Sequence, residues 1–114
     1  MDVQKQPDGR VTCRVSIAWN AHVHRAEAVA MDLPGAAAQA AAQSAVRALA
    51  AAGIHGLELN GLREVEIAGR EYVLVALRRT EGGSVRLRSG SALIVGTPER
   101  SAAEATLAAA NDLL

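Results

Sequence analysis

The residue types able to do chemistry in this 114-residue chain are few and spread out. His22 and His24 stand two apart, a spacing that on a strand turns both imidazoles to one side, as metal ligation requires. His55 is the remaining histidine and no third ligand lies near the pair, so the reading favoured is polar residues at a strand edge, with no metal site. Cys13, the single cysteine, would be a nucleophile beside a base. It falls instead on the apolar parity of VTCRVSIAW and reads as an inert core thiol, with no partner for a disulfide or a CxxC motif. Glu58, Glu64 and Glu66 alternate along LELNGLREVEI and read as one solvated strand face, without the apolar pocket that would raise a carboxyl pKa for acid catalysis. No catalytic residues and no cofactor are therefore expected.

Two features offer anion binding. Arg78, Arg79, Arg86 and Arg88 flank the turn-rich TEGGS segment, so a hairpin gathers them at one end of a sheet. The plainer reading pairs them with Glu64, Glu66 and Glu71. GTPER, residues 96–100, opens a helix whose first N–H groups attract anions, although it lacks the glycine spacing of a phosphate loop and is explained by capping at Thr97 and Pro98. The candidate ligand-binding residues are Arg86, Arg88, Gly90, Gly96 and Thr97.

The elements that must position these residues follow from periodicity. Val11, Cys13, Val15, Ile17 and Trp19 alternate with Thr12, Arg14 and Ser16 as a half-buried strand, and a turn at Asn20-Ala21 leads into a second, HVHRAEAVA. DLPGAAAQAAAQSAVRALAAAG carries Asp32 and Pro34 at a helix entry and Gly53 just past its end. LELNGLREVEIAG is a strand with a turn or bulge at Asn60-Gly61, alternating Leu57 and Leu59, then Val65 and Ile67, with polar residues. YVLVAL, residues 72–77, is apolar on both parities and reads as a central strand covered on both faces. VRLRSGSALIV follows, with Gly90 a bulge or point of close approach, and then the closing helix.

The expected order is β-β-α-β-β-β-α: a single α+β domain over residues 10–114, its antiparallel sheet carrying two helices on one face, with 1–9 a disordered tail. One chain has only two helices, so the second face of the sheet is expected to meet another copy. Val73, Leu74, Val75, Leu93 and Val95 are the candidates for sheet core or dimer interface. Alanine supplies 25 residues and phenylalanine none, a thin core that self-association would support.

Lys+Arg and Asp+Glu balance at 12 each, which argues against a general nucleic-acid or membrane-surface binder. Eleven of the twelve basic residues are arginine, which with the alanine excess fits a GC-rich bacterial genome. No run approaches the roughly 20 apolar residues of a membrane span, and a cytoplasmic location is expected.

SGSALIVGTPERSAAEATLAAANDLL resembles the closing segment of the regulatory, dimerising domain of the 2-isopropylmalate synthase family, through Gly90, Ala103, Ala105, Ala109, Ala110, Asn111 and Leu113. VSIAWNAHVHRAEAVA followed by an alanine helix is similar to that family's earlier strand-turn-strand-helix piece. The resemblance implies a stand-alone dimerisation or regulatory module, with an effector pocket at the dimer interface near Gly90 to Thr97. No catalytic barrel precedes it, so the synthase activity is not implied. The order of elements is also similar to that of the roadblock fold after its first helix. The leading expectation is a non-enzymatic, homodimeric regulatory or protein-interaction module with a small anionic metabolite as its candidate ligand. The alternative is a small oligomeric enzyme with an active site shared between subunits.

Overall fold

The computed structural model describes residues 1–114 apart from Asn20, Asp32 and Pro34, and Trp19 in its backbone only. The expected turn residue Asn20, the helix-entry residues Asp32 and Pro34 and the core position of the Trp19 side chain thus lie outside the described residues. The elements are β1 (Asp2–Lys5), β2 (Arg10–Trp19), β3 (His22–Met31), α1 (Ala36–Ala51), β4 (Leu57–Ile67), β5 (Arg70–Glu81), β6 (Ser84–Leu93) and α2 (Pro98–Asn111). The α+β class holds. Two details of the expected architecture are corrected: the strands form two three-stranded antiparallel sheets, β1-β2-β3 and β4-β5-β6, and the expected disordered tail contributes β1. Val3 explains the second correction, since it stands opposite Cys13 and packs against the core from an otherwise polar strand.

The chain is therefore a βββα unit repeated. β3 and β6, with the helices that follow them, share one offset of 62 residues (His22 to Ser84, Met31 to Leu93, Ala36 to Pro98). At that offset the inward residues of the central strands coincide: Val11 with Val73, Cys13 with Val75, Val15 with Leu77, all buried. Ser44 and Thr106 coincide as well, each a fully buried hydroxyl on its helix. They are satisfied differently. Ser44 Oγ donates to the Cys13 carbonyl at 2.8 Å, tying α1 to β2, whereas Thr106 Oγ1 donates back to the Ala102 carbonyl at 2.7 Å within α2. α1 lies on β2 and β3, α2 lies on β5 and β6, and the helices pack against each other.

The end of α1 is written in its sequence. Gly53 takes φ 98°, its N–H reaches the Ala50 carbonyl at 3.0 Å, and the Ile54 N–H reaches that of Leu49 at 2.9 Å. These are the paired bonds of a Schellman stop, with Ile54 buried beyond them.

Alanine-rich helices allow close contact with the sheets, and Gly90 shows how close. It sits in β6 opposite Val75 with no shift of register, so it is the close-approach point and not a bulge. A Cβ there would stand 2.6 Å from the Ala109 amide nitrogen and closer still to the Ala105 carbonyl.

Candidate functional site

Strand register decides which face of the second sheet each candidate occupies. Val73, Val75 and Leu77 share the face of Gly90, point toward α2 and are buried, so Val73 and Val75 belong to the core. Their neighbours Tyr72, Leu74 and Ala76 lie on the opposite face, which neither helix covers. Leu93 stands opposite Tyr72 on that open face at 37 % exposure, and Val95, beyond the strand, is 73 % exposed. YVLVAL is thus covered on one face within the chain, and its other face is the one expected to meet another copy.

The bulge in β4 changes the membership of this face. The register shift between Leu59 and Gly61 leaves Leu57 and Leu59 on the α2 side and turns Val65 and Ile67 outward, where Val65 stands opposite Tyr72 and Ile67 opposite Arg70. The same shift separates Glu58 from Glu64 and Glu66, which corrects the expected single acidic face. Ile67, Leu74, Val85, Leu87 and Leu93 all project from the open face as exposed large hydrophobics.

The arginines are held inside the chain. Arg79 and Arg86 stand opposite each other on β5 and β6, and both donate to the Leu113 carbonyl just past α2, at 2.7 and 2.8 Å. Two guanidinium groups at a helix C-terminus satisfy an orphan acceptor and oppose the negative end of the helix dipole. Arg78 pairs with Glu58, Arg79 lies 3.8 Å from Glu81, and Arg88 donates to the carbonyl of its neighbour Leu87. The glutamates expected as partners, Glu64, Glu66 and Glu71, are replaced by Glu58, across the strands from Arg78, and Glu81, two residues along β5 from Arg79.

Gly96 and Thr97 lie at the other end of α2 from Arg86 and its Leu113 acceptor, about 20 Å away at the rise of an α-helix. Gly90 lies between, its space filled by the α2 backbone. The five candidate ligand residues therefore do not line one pocket in a single chain. Thr97 occupies the cap position and Pro98 follows it, as expected, but the Thr97 hydroxyl makes no capping bond. Ser101 Oγ instead ties the first turn of α2 to the Leu93 carbonyl at 3.1 Å.

Cys13 is fully buried, its Sγ 3.3 Å from the Ala37 carbonyl. Burial, reinforced by the Glu99 carboxylate, pushes its pKa up to about 11 from 9.0, the opposite of what a nucleophilic thiol needs. His22 and His24 stack edge to face with centroids 6.5 Å apart. Among the described residues no three His, Cys, Asp or Glu side chains gather as a metal site would require. Among them also, no helix is long and apolar enough to cross a membrane.

No protein-family model, curated protein or solved structure matches the chain.

Proposed function

We infer that this chain is a non-enzymatic module that self-associates through the open face of the β4-β5-β6 sheet and serves regulation or protein interaction. The observation that supports this reading is the apolar column Tyr72, Leu74 and Ala76 on the central strand, flanked by Val65, Ile67, Leu87 and Leu93 and left without a helix. Exposed apolar side chains interleaved with polar ones, here Arg63, Ser89 and Ser91, are a composition found at interaction surfaces. The first sheet is more polar at the equivalent positions, Arg10, Thr12, Arg14, Ser16 and Ala18 against Tyr72, Leu74, Ala76, Arg78 and Thr80, with Thr12 itself buried and the exposed Val23, Val29 and Met31 on its outer strand β3. Pairing two copies face to face would cover β5 on both sides, the environment its composition demands.

The resemblance to the 2-isopropylmalate synthase regulatory domain favours a small anionic metabolite as ligand, met outside the open face, since Arg86 and Arg88 stand on the α2 side of the sheet opposite Arg79 and Leu77. Light scattering over a micromolar concentration series tests the self-association, and a monomer throughout would end this reading. Thermal shifts against phosphorylated and carboxylated metabolites test the ligand, since binding at about 100 times Kd adds roughly 2.7 kcal/mol of stability. Silence across that panel would leave a scaffolding role.

A further inference from the structure

Strand pairing sets out the open face of the second sheet in rows. Arg63, Leu74 and Ser91 stand side by side across β4, β5 and β6, and the next row is Gly61, Ala76 and Ser89. Three small residues in one row leave a trough across the sheet, a cavity of about 400 Å³ lined by all three together with Leu74 and Arg63. Beyond the trough comes the row of Glu58, Arg78 and Leu87, and beyond Leu74 the row of Val65, Tyr72 and Leu93. The ridge at Leu74 and the trough at Ala76 are two residues apart along β5, about 7 Å. Leu74 is exposed. Arg63 is exposed as well and has no hydrogen bond or ion pair among the described residues.

Facing sheets keep their strand directions within about 30° of each other, so a two-fold axis relating two copies of this face runs either along the strands or across them. An axis along β5 sets each residue of that strand on itself. Leu74 then meets Leu74, Arg78 meets Arg78 with like charge, and the trough faces an equal trough and stays empty. An axis across the strands, between Leu74 and Ala76, exchanges the rows instead. Leu74 of each copy enters the trough of the other, Tyr72 faces Arg78 as ring against guanidinium, and Leu93 faces Leu87. Arg63 lies over Gly61, which has no side chain to block it, and reaches toward Glu58 in the row beyond. Arg78 of the same chain binds one oxygen of that carboxylate, which leaves the other for Arg63.

We propose that the trough at Gly61, Ala76 and Ser89 is a socket for Leu74 of a second copy, entered reciprocally about a two-fold axis that crosses the strands between Leu74 and Ala76, with Arg63 of each copy paired to Glu58 of the other. This register rests on the self-association proposed above and specifies which residues meet. It sets large on small and positive on negative twice over, whereas the axis along β5 does neither.

The test exchanges charges between copies. Arg63→Glu and Glu58→Arg each place like charges across the interface twice, and each is expected to weaken self-association at least about tenfold in sedimentation velocity. Mixed in equal amounts, the two variants restore both pairs in a heterodimer, which is expected to form about as tightly as the unaltered dimer. No loss in the single variants, or no rescue on mixing, in a chain that Leu74→Asp still dissociates would overturn this register and leave association through the face standing. An unaltered chain that is monomeric overturns both. Should Glu58→Arg fail to fold, a nitroxide at Ser84→Cys decides the axis, since Ser84 is exposed at the start of β6 and Cys13 is buried away from the label. Ser84 lies opposite Glu81, about 20 Å along the strands from the crossing axis, so the two labels of a dimer are expected about 40 Å or more apart by pulsed dipolar spectroscopy. A separation of about 25 Å or less, as an axis along β5 gives for sheets about 10 Å apart, would overturn the proposal.

Discussion

Arg79 and Arg86 converge on one acceptor, the Leu113 carbonyl, at 2.7 and 2.8 Å from facing strands. The last turn of α2 is thereby fastened to the β5-β6 hairpin by two of the residues that the sequence offers as an anion site. A shared acceptor makes the pair redundant. Arg79→Ala and Arg86→Ala are each expected to cost about 0.5–1.5 kcal/mol in urea unfolding. The double variant is expected to lose more than their sum, because only then is the carbonyl left without a donor. Strict additivity would show that the two bonds act independently.

Gly90 is the second fastening. Gly90→Ala drives a Cβ into the α2 backbone at Ala105 and Ala109, which only a shift of helix or strand can relieve. A loss of about 1–3 kcal/mol or more is expected, read as a lower urea midpoint at unchanged slope. A neutral outcome would mean that α2 does not press on β6 as described.

Cys13 predicts a pH signature. Its pKa is raised to about 11 by burial and by Glu99, so the unfolded thiol ionises first, near 9.0. The stabilisation from keeping it neutral is complete below about pH 9 and is lost as pH rises through about 11. Cys13→Val, which installs the residue found at the equivalent Val75, is expected to fold and to flatten that alkaline decline. Native protein should resist iodoacetamide at about pH 8 until denaturant is added; rapid native labelling would contradict the burial.

How much of this was legible beforehand depended on whether a side chain carried the signal. The stop of α1 was legible because Gly53 and the apolar Ile54 announce a Schellman turn. β2 was legible because one parity is apolar, whereas β5 is apolar on both, so its sequence could not say that Val73 and Val75 face α2 while Leu74 faces outward. The Asn60 bulge was visible as a break, but the change of face it imposes on Val65 and Ile67 appears only in the register. Arg79 and Arg86 bind a backbone carbonyl, an acceptor no residue type reveals. The repeat was hidden because the halves meet the same need with different residues, Ser44 with Thr106 and Ala28 with Gly90.

Adjacent residues of β5 separate folding from association. Val75 is 1 % exposed beneath α2, and an aspartate there buries an unpaired charge, so Val75→Asp is expected to unfold the chain. Leu74, on the other side of the strand, is 38 % exposed. Sedimentation velocity of Leu74→Asp beside the unaltered protein therefore isolates self-association through the open face from folding. A dimer is expected for the unaltered chain and a folded monomer for Leu74→Asp. A dimer that survives Leu74→Asp, or an unaltered chain that is monomeric at the same concentrations, would refute association through this face.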